Sequence, residues 1–110
     1  MTESKWFFEH FDSAGTAFGL RLKRKLEEVH TTYQHIEMWE TDTFGYLMTI
    51  DGCTMLSSRD NFLYHEMMSH PALFTHAAPK DVVIIGGGDC GTLREVLRHD
   101  SVEHATQIDI

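Results

Sequence analysis

The chain has 110 residues, 42 % hydrophobic and 24 % charged, enough for one small soluble domain. Its formal net charge of −8 argues against nucleic acid as a partner, and no apolar run approaches the roughly eighteen residues of a membrane span. The N-terminus lacks a secretory pattern, and neither the two cysteines nor the eight histidines show metal-ligand spacing, so a reduced, cytoplasmic protein without a metal is the simplest expectation.

The first sixty residues read as β structure. Ala17 to Leu26 alternates apolar and polar, with the basic cluster Arg21-Leu22-Lys23-Arg24-Lys25 on a solvated face. His35 to Trp39 alternates too, with Ile36 and Met38 on one side. Phe44 to Ile50 is an apolar run that leads into Asp51-Gly52 and then Cys53 to Leu56. Asp-Gly between two such runs predicts a hairpin, because a type I′ turn needs positive φ at both central residues. The result is a small meander or partial barrel. From Asp60 to Thr75 the period changes: Leu63, Met67, His70 and Phe74 recur at three to four, which predicts a helix. Asp60 serves as N-cap or first-turn acid, Pro71 as a kink or interruption, and Met67 and Met68 as core packing.

Residues 82–109 carry the strongest signal. An apolar strand, Val82-Val83-Ile84-Ile85, runs into Gly86-Gly87-Gly88-Asp89-Cys90-Gly91, then a helix from near Gly91 and a second strand from Val102 to Asp109. Gly86, Gly88 and Gly91 fit the G-x-G-x-x-G spacing of nucleotide-binding turns. In such turns the first glycine permits the bend, the second lets a ligand approach the backbone, and the third permits close helix–strand packing. Asp109 falls about twenty residues on, where these folds place an acid that accepts from a ribose. Asp89 precedes the helix and is a candidate N-cap. The fold class is therefore α/β: a small β domain (1–58) followed by the start of a Rossmann-like, methyltransferase-type doubly wound domain (59–110). A doubly wound sheet with two strands has an open edge, so the sequence is expected to be the N-terminal part of a longer one.

The run Tyr64-His65-Glu66-Met67 with His70-Pro71, then Ile84-Ile85-Gly86-Gly87-Gly88-Asp89-Cys90-Gly91, then Arg94-Glu95-Val96 and His99, resembles the spermidine synthase (polyamine aminopropyltransferase) family. Gln34, Phe44-Gly45, Ile50-Asp51-Gly52 and Arg59-Asp60 follow in the family's order, so the resemblance covers the chain from about Trp6 onward.

The resemblance implies an aminopropyl transfer from decarboxylated S-adenosylmethionine to an amine, usually putrescine, giving spermidine and methylthioadenosine. It implies a homodimer or homotetramer. It implies no cofactor, the decarboxylated donor being a co-substrate. It also assigns roles. Gln34 would contact the nucleoside, with Gly86 and Gly88 forming the turn beneath it. Asp89 would hold the donor's amino end, and Asp109 would bind the ribose in place of the usual glutamate. Tyr64 and His65 would line the amine-acceptor pocket, the tyrosine helping to orient or deprotonate the nitrogen. The main general base, an aspartate, is expected beyond residue 110. Arg94 and Glu95 read as scaffold. Three residues depart from the family pattern: Cys90 for a glycine, tolerable if its φ is negative; Met55 for a frequent glutamine; and Asn61 for a frequent glutamate. Two other readings use the same βαβ unit: another nucleoside enzyme such as an S-adenosylmethionine-dependent methyltransferase, or a non-catalytic fragment.

Overall fold

The computed structural model describes residues 5–110, which divide into two compact units at Asp60/Asn61.

The first unit is an antiparallel meander in the order β1-β2-β3-β4-β5: β1 Lys5–Phe11, β2 Thr16–His30, β3 His35–Thr41, β4 Tyr46–Ile50 and β5 Cys53–Ser57. β1 was not singled out by sequence, because its three phenylalanines and one tryptophan blur the alternation. A single turn of 3-10 helix, Asp12–Ala14, joins it to β2. The Glu9 carboxylate in β1 accepts the Thr54 N–H of β5 at 2.8 Å, so the first and last strands curl toward each other.

Alternation in β2 holds only as far as Leu22. Leu20 and Leu22 are buried, then irregularities in the pairing with β3 between Leu22 and Arg24 and between Lys25 and Glu27 shift the phase. The remainder, to His30, is an exposed charged ribbon. Its cations pair across to β3, Arg24 with Glu40 at 2.7 Å and Lys25 with Glu37 at 2.7 Å. Leu20, Leu22, Trp39 and Leu47 form the core, and Leu47 is 0 % exposed. The ammonium groups of Lys5 and Lys25 lie 4.7 and 4.6 Å from the Trp39 ring centroid, where the ring quadrupole attracts them. Ile36 and Met38 do share a side, but a half-buried one; Trp39 and Thr41 of the same strand face the core. The Asp51-Gly52 turn has φ of 52° and 77°, as the hairpin reading requires.

The second unit contains α1 Asn61–Thr75, β6 Asp81–Ile85, α2 Gly91–Val96 and β7 His104–Ile108. β6 and β7 are parallel, in register from Asp81/His104 to Ile85/Ile108. Leu73, Ile84 and Val96 form its core, with Val82, Leu93, Val102 and Ala105 packed around them.

α1 is a helix, but its inner face is not the expected one. His65, Ser69 and Leu73 are buried at a spacing of four, while Leu63, Met67, Met68 and Phe74 are exposed, Met67 to 65 %. The expected core role of Met67 and Met68 is thus overturned. Small and polar residues pack where α1 meets α2: a Cβ at Gly91 would fall inside the His65 ring, so the bare glycine makes room for the imidazole. Pro71 does not interrupt the helix. Ser57 Oγ donates to the Asp60 carboxylate at 2.5 Å, immediately before α1 begins.

Candidate functional site

The glycine turn and Asp109 meet at the C-terminal ends of the parallel strands β6 and β7. The last ladder pair, Ile85 and Ile108, leads directly into Gly86 and Asp109. The Gly86 N–H donates to the Ile108 carbonyl at 2.7 Å, and Gln107 Nε2 donates to the Gly87 carbonyl at 2.5 Å, so both walls of the turn are tied to β7.

Each glycine is required for its own reason, and the reasons differ from the expected ones. Gly86 and Gly87 have φ of +85° and +71°, the left-handed region that glycine enters without a Cβ penalty. Gly88 does not, but a Cβ there would lie 2.5 Å from Asp109 Oδ2, so the carboxylate rests against bare backbone. A Cβ at Gly91 would fall inside the His65 ring, so the third glycine admits an imidazole from α1 rather than a strand. Cys90 has φ +66°, which overturns the expectation of negative φ. The left-handed backbone there costs a residue with a Cβ about 1–2 kcal/mol relative to glycine.

Cys90, not Asp89, is the N-cap of α2; Asp89 stands one residue earlier, where its Oδ1 accepts the Gly91 N–H at 2.7 Å. His65 Nε2 lies 2.9 Å from the same oxygen. The approach is off the line a hydrogen bond needs, and both ring nitrogens of this 3 %-exposed imidazole lack a well-formed partner. A buried polar group in that state is uncommon and favours a further partner. Both contacts with Asp89 fall on Oδ1. Tyr64, the neighbour of His65 on α1, is 55 % exposed and meets its ring edge-on at 5.5 Å. Asp109 is exposed, and its Oδ1 accepts the Ile110 N–H at 2.7 Å. One unit therefore brings together Tyr64, His65, Gly86, Gly88, Asp89 and Asp109.

Gln34 belongs to the other unit. It lies not within an alternating strand but at the end of the β2–β3 turn, where its N–H donates to Thr31 Oγ1 at 2.8 Å and its carbonyl accepts the Thr31 N–H at 2.8 Å.

Behind the turn, Glu95 of α2 is buried. Its Oε2 accepts from Arg98 Nη1 at 2.9 Å and lies 3.1 Å from His70 Nε2, while Arg94 reaches Oε1 at 3.3 Å. His70 Nδ1 is 2.8 Å from His99 Nε2. Burial pushes the Glu95 carboxyl up, but the bonds from Arg98, His70 and Arg94 outweigh it, and the group is held below the ordinary range. This network joins α1 to α2 and makes Glu95 scaffold. Periodicity could not reveal it, since Glu95 and His70 are far apart in sequence.

Comparison with known proteins identifies the family and the fold. Residues 5–58 match a family model described as the spermidine synthase tetramerisation domain, and residues 61–110 match the spermine/spermidine synthase domain. A polyamine aminopropyltransferase of Xanthomonas campestris pv. campestris is 64 % identical over 109 residues, 99 % of this chain and 38 % of the relative. One from Stenotrophomonas maltophilia is 63 % identical over 111 residues, covering 39 % of its length. The crystal structure of spermidine synthase from Thermotoga maritima superposes with a TM-score of 0.93 at 40 % identity, over 98 % of this chain and 38 % of that one. A spermidine synthase in complex with the transition-state analogue AdoDATO superposes equally well, TM-score 0.93. The chain thus spans somewhat over a third of the length of the curated relatives it matches. Two adjoining family models, the close relatives and the shared fold together place the chain in the spermidine synthase (polyamine aminopropyltransferase) family.

Proposed function

We propose that the chain contributes the donor-gripping part of an enzyme that transfers an aminopropyl group from decarboxylated S-adenosylmethionine to putrescine, giving spermidine and methylthioadenosine. The observation that carries this reading is the convergence of the turn 86–91, Asp109 and the His65–Asp89 contact at one end of β6 and β7. In the proposed reaction the acceptor nitrogen attacks the carbon next to the sulfonium. The carbon–sulfur bond breaks with its electrons going to sulfur, and the nitrogen's proton passes to a base. A sulfonium is already a good leaving group, so neither a metal nor a covalent nucleophile is required. What the protein supplies is alignment and an unprotonated amine, since an alkyl ammonium has a pKa near 10.

Asp89 Oδ2 is proposed to take the donor's ammonium, Asp109 the ribose hydroxyls, and Tyr64 and His65 the acceptor side. The open backbone at Gly86, where a Cβ would meet nothing within 4 Å, lets the nucleoside lie close, with Gly88 seating the Asp109 carboxylate, and Gln34 is assigned a second nucleoside contact. The two cysteines are free, which fits a reducing cytoplasm. The match of residues 5–58 to the spermidine synthase tetramerisation domain supports a homo-oligomer, and exposed Trp6, Phe8, Phe11 and Phe18 supply apolar surface for it.

Calorimetric titration with methylthioadenosine tests the reading. Asp109→Ala is expected to weaken binding by about 1–3 kcal/mol, the scale of lost bonds to a charged acceptor. Equal affinity in a folded variant moves the ribose site elsewhere. In an enzyme of the relatives' length, Asp89→Asn is expected to lower turnover sharply; unchanged turnover removes its assigned role.

A further inference from the structure

The far end of the β2–β3 ribbon gathers three metal-type donors outside the proposed reaction. Glu28 and His30 lie two residues apart on β2 and so share a face. His30 pairs with His35 across the ladder, and their rings stack with centroids 4.0 Å apart and planes within 7°. Both Nε2 atoms approach the same carboxylate oxygen, Glu28 Oε1, at 2.7 Å from His35 and 3.7 Å from His30. The three donor atoms all lie within 4.8 Å of one another.

The backbone beneath them is fixed from both sides. Thr31 and Gln34 close the turn with reciprocal bonds of 2.8 Å. Asp51 clamps His35, accepting its N–H at 2.9 Å and donating its own N–H to the His35 carbonyl at 2.8 Å. Lys25 Nζ binds the other carboxylate oxygen, Glu28 Oε2, at 2.8 Å and is shared with Glu37. Among the described residues, Glu28 Oε1 is thus met by the two imidazoles, and the Lys25 ammonium lies on the other oxygen.

We propose that Glu28 Oε1, His30 Nε2 and His35 Nε2 form a surface site for a transition-metal dication of the Zn²⁺ type, with water in its remaining positions. Two imidazole nitrogens and one carboxylate oxygen suit Zn²⁺, Co²⁺ or Ni²⁺, whereas Mg²⁺ and Ca²⁺ take all-oxygen sets. The cluster Glu66, His70 and Glu95 has donors as close, but Glu95 Oε2 already accepts from Arg98 and His70 Nδ1 faces His99. A dication there would sit against a guanidinium.

The test is titration of the metal-free full chain, carrying Cys53→Ser and Cys90→Ser to remove thiolates, with Zn²⁺ by calorimetry and with Co²⁺ by visible absorption. One equivalent is expected to bind, with the intense visible bands of a four- or five-coordinate Co²⁺ site. Loss of a group that merely supports a ligand weakens a metal by about 10–100-fold, so His30→Ala and His35→Ala should each cost at least about tenfold. His70→Ala is expected to leave the affinity unchanged. The His30 side chain is exposed, so His30→Ala keeps the fold. Full affinity in His30→Ala and His35→Ala, loss of binding in His70→Ala, or a Co²⁺ spectrum like that of the free ion would each overturn the proposal.

Discussion

The two units treat polarity in opposite ways. The first puts its charges on the outside, as cross-strand pairs along the β2–β3 ribbon, and its largest fully buried side chain is Leu47. The second buries His65, Ser69, Thr92 and Glu95, yet leaves Ile85 88 % exposed along with Met67 and Phe74. Burying a charged or polar group is costly unless it is paired. The polar groups buried in the second unit cluster around its turn, and its exposed Ile85 lies on a sheet of two strands. His65 rests on Gly91, Asp89 accepts the Gly91 N–H, and Glu95 ties α2 to α1, each fixing the position of a group in the proposed site. The first unit is arranged around its own core.

That contrast can be broken most forcefully at Leu47. Leu47→Ala removes a side chain packed on Leu20, Leu22 and Trp39 and is expected to cost about 2–5 kcal/mol in denaturant unfolding. A loss under about 1 kcal/mol would mean the sheet has no dominant core. Next comes Glu95. Glu95→Gln keeps the shape but removes the charge that Arg98, His70 and Arg94 share, and is expected to cost about 1–3 kcal/mol at neutral pH. Its pH dependence gives the sharper reading. The folded-state pKa lies below the ordinary 4.5, so Glu95's contribution is present above 4.5 and is lost as pH falls through the lowered value. The gap in unfolding free energy between wild type and Glu95→Gln should therefore narrow on acidification below 4.5. A gap that stays constant into that range would show that the carboxylate is not the stabilising species. The smallest expected effect has the opposite sign. Cys90→Gly relieves the left-handed residue of the turn and should raise stability by about 1 kcal/mol, less the entropy that glycine restores to the unfolded chain. A destabilised Cys90→Gly would assign the thiol a packing role that its exposure does not support.

Some of this was readable before any coordinates. The Asp51-Gly52 hairpin, the strand–turn–helix–strand order after Val82 and the position of Asp109 rest on local rules: positive φ at a tight turn, period two against 3.6, and chain distance along a βαβ unit. Those rules act within a few residues, so one sequence is enough to state them. The resemblance added the family. It pointed to Tyr64, His65 and Asp89 without saying how they meet.

Tertiary packing decided the rest. Apolar spacing on α1 marked Leu63, Met67 and Phe74 as inward, yet the helix turned His65, Ser69 and Leu73 inward. Periodicity says that a face exists, and the partner surface, here the bare backbone of Gly91, selects which one. The glycine pattern named the right bend but misplaced the left-handed residues, since φ at each position depends on how the turn is tied to β7 by Gly86 and Gln107. The ring of His99, His70 and Glu95 joins residues distant along the chain, and no local rule reaches that far. Sequence alone determined which elements form and in what order, because hydrogen bonding and side-chain alternation are local. Which side chains face one another was decided only when α1, α2 and the strands competed for the same space.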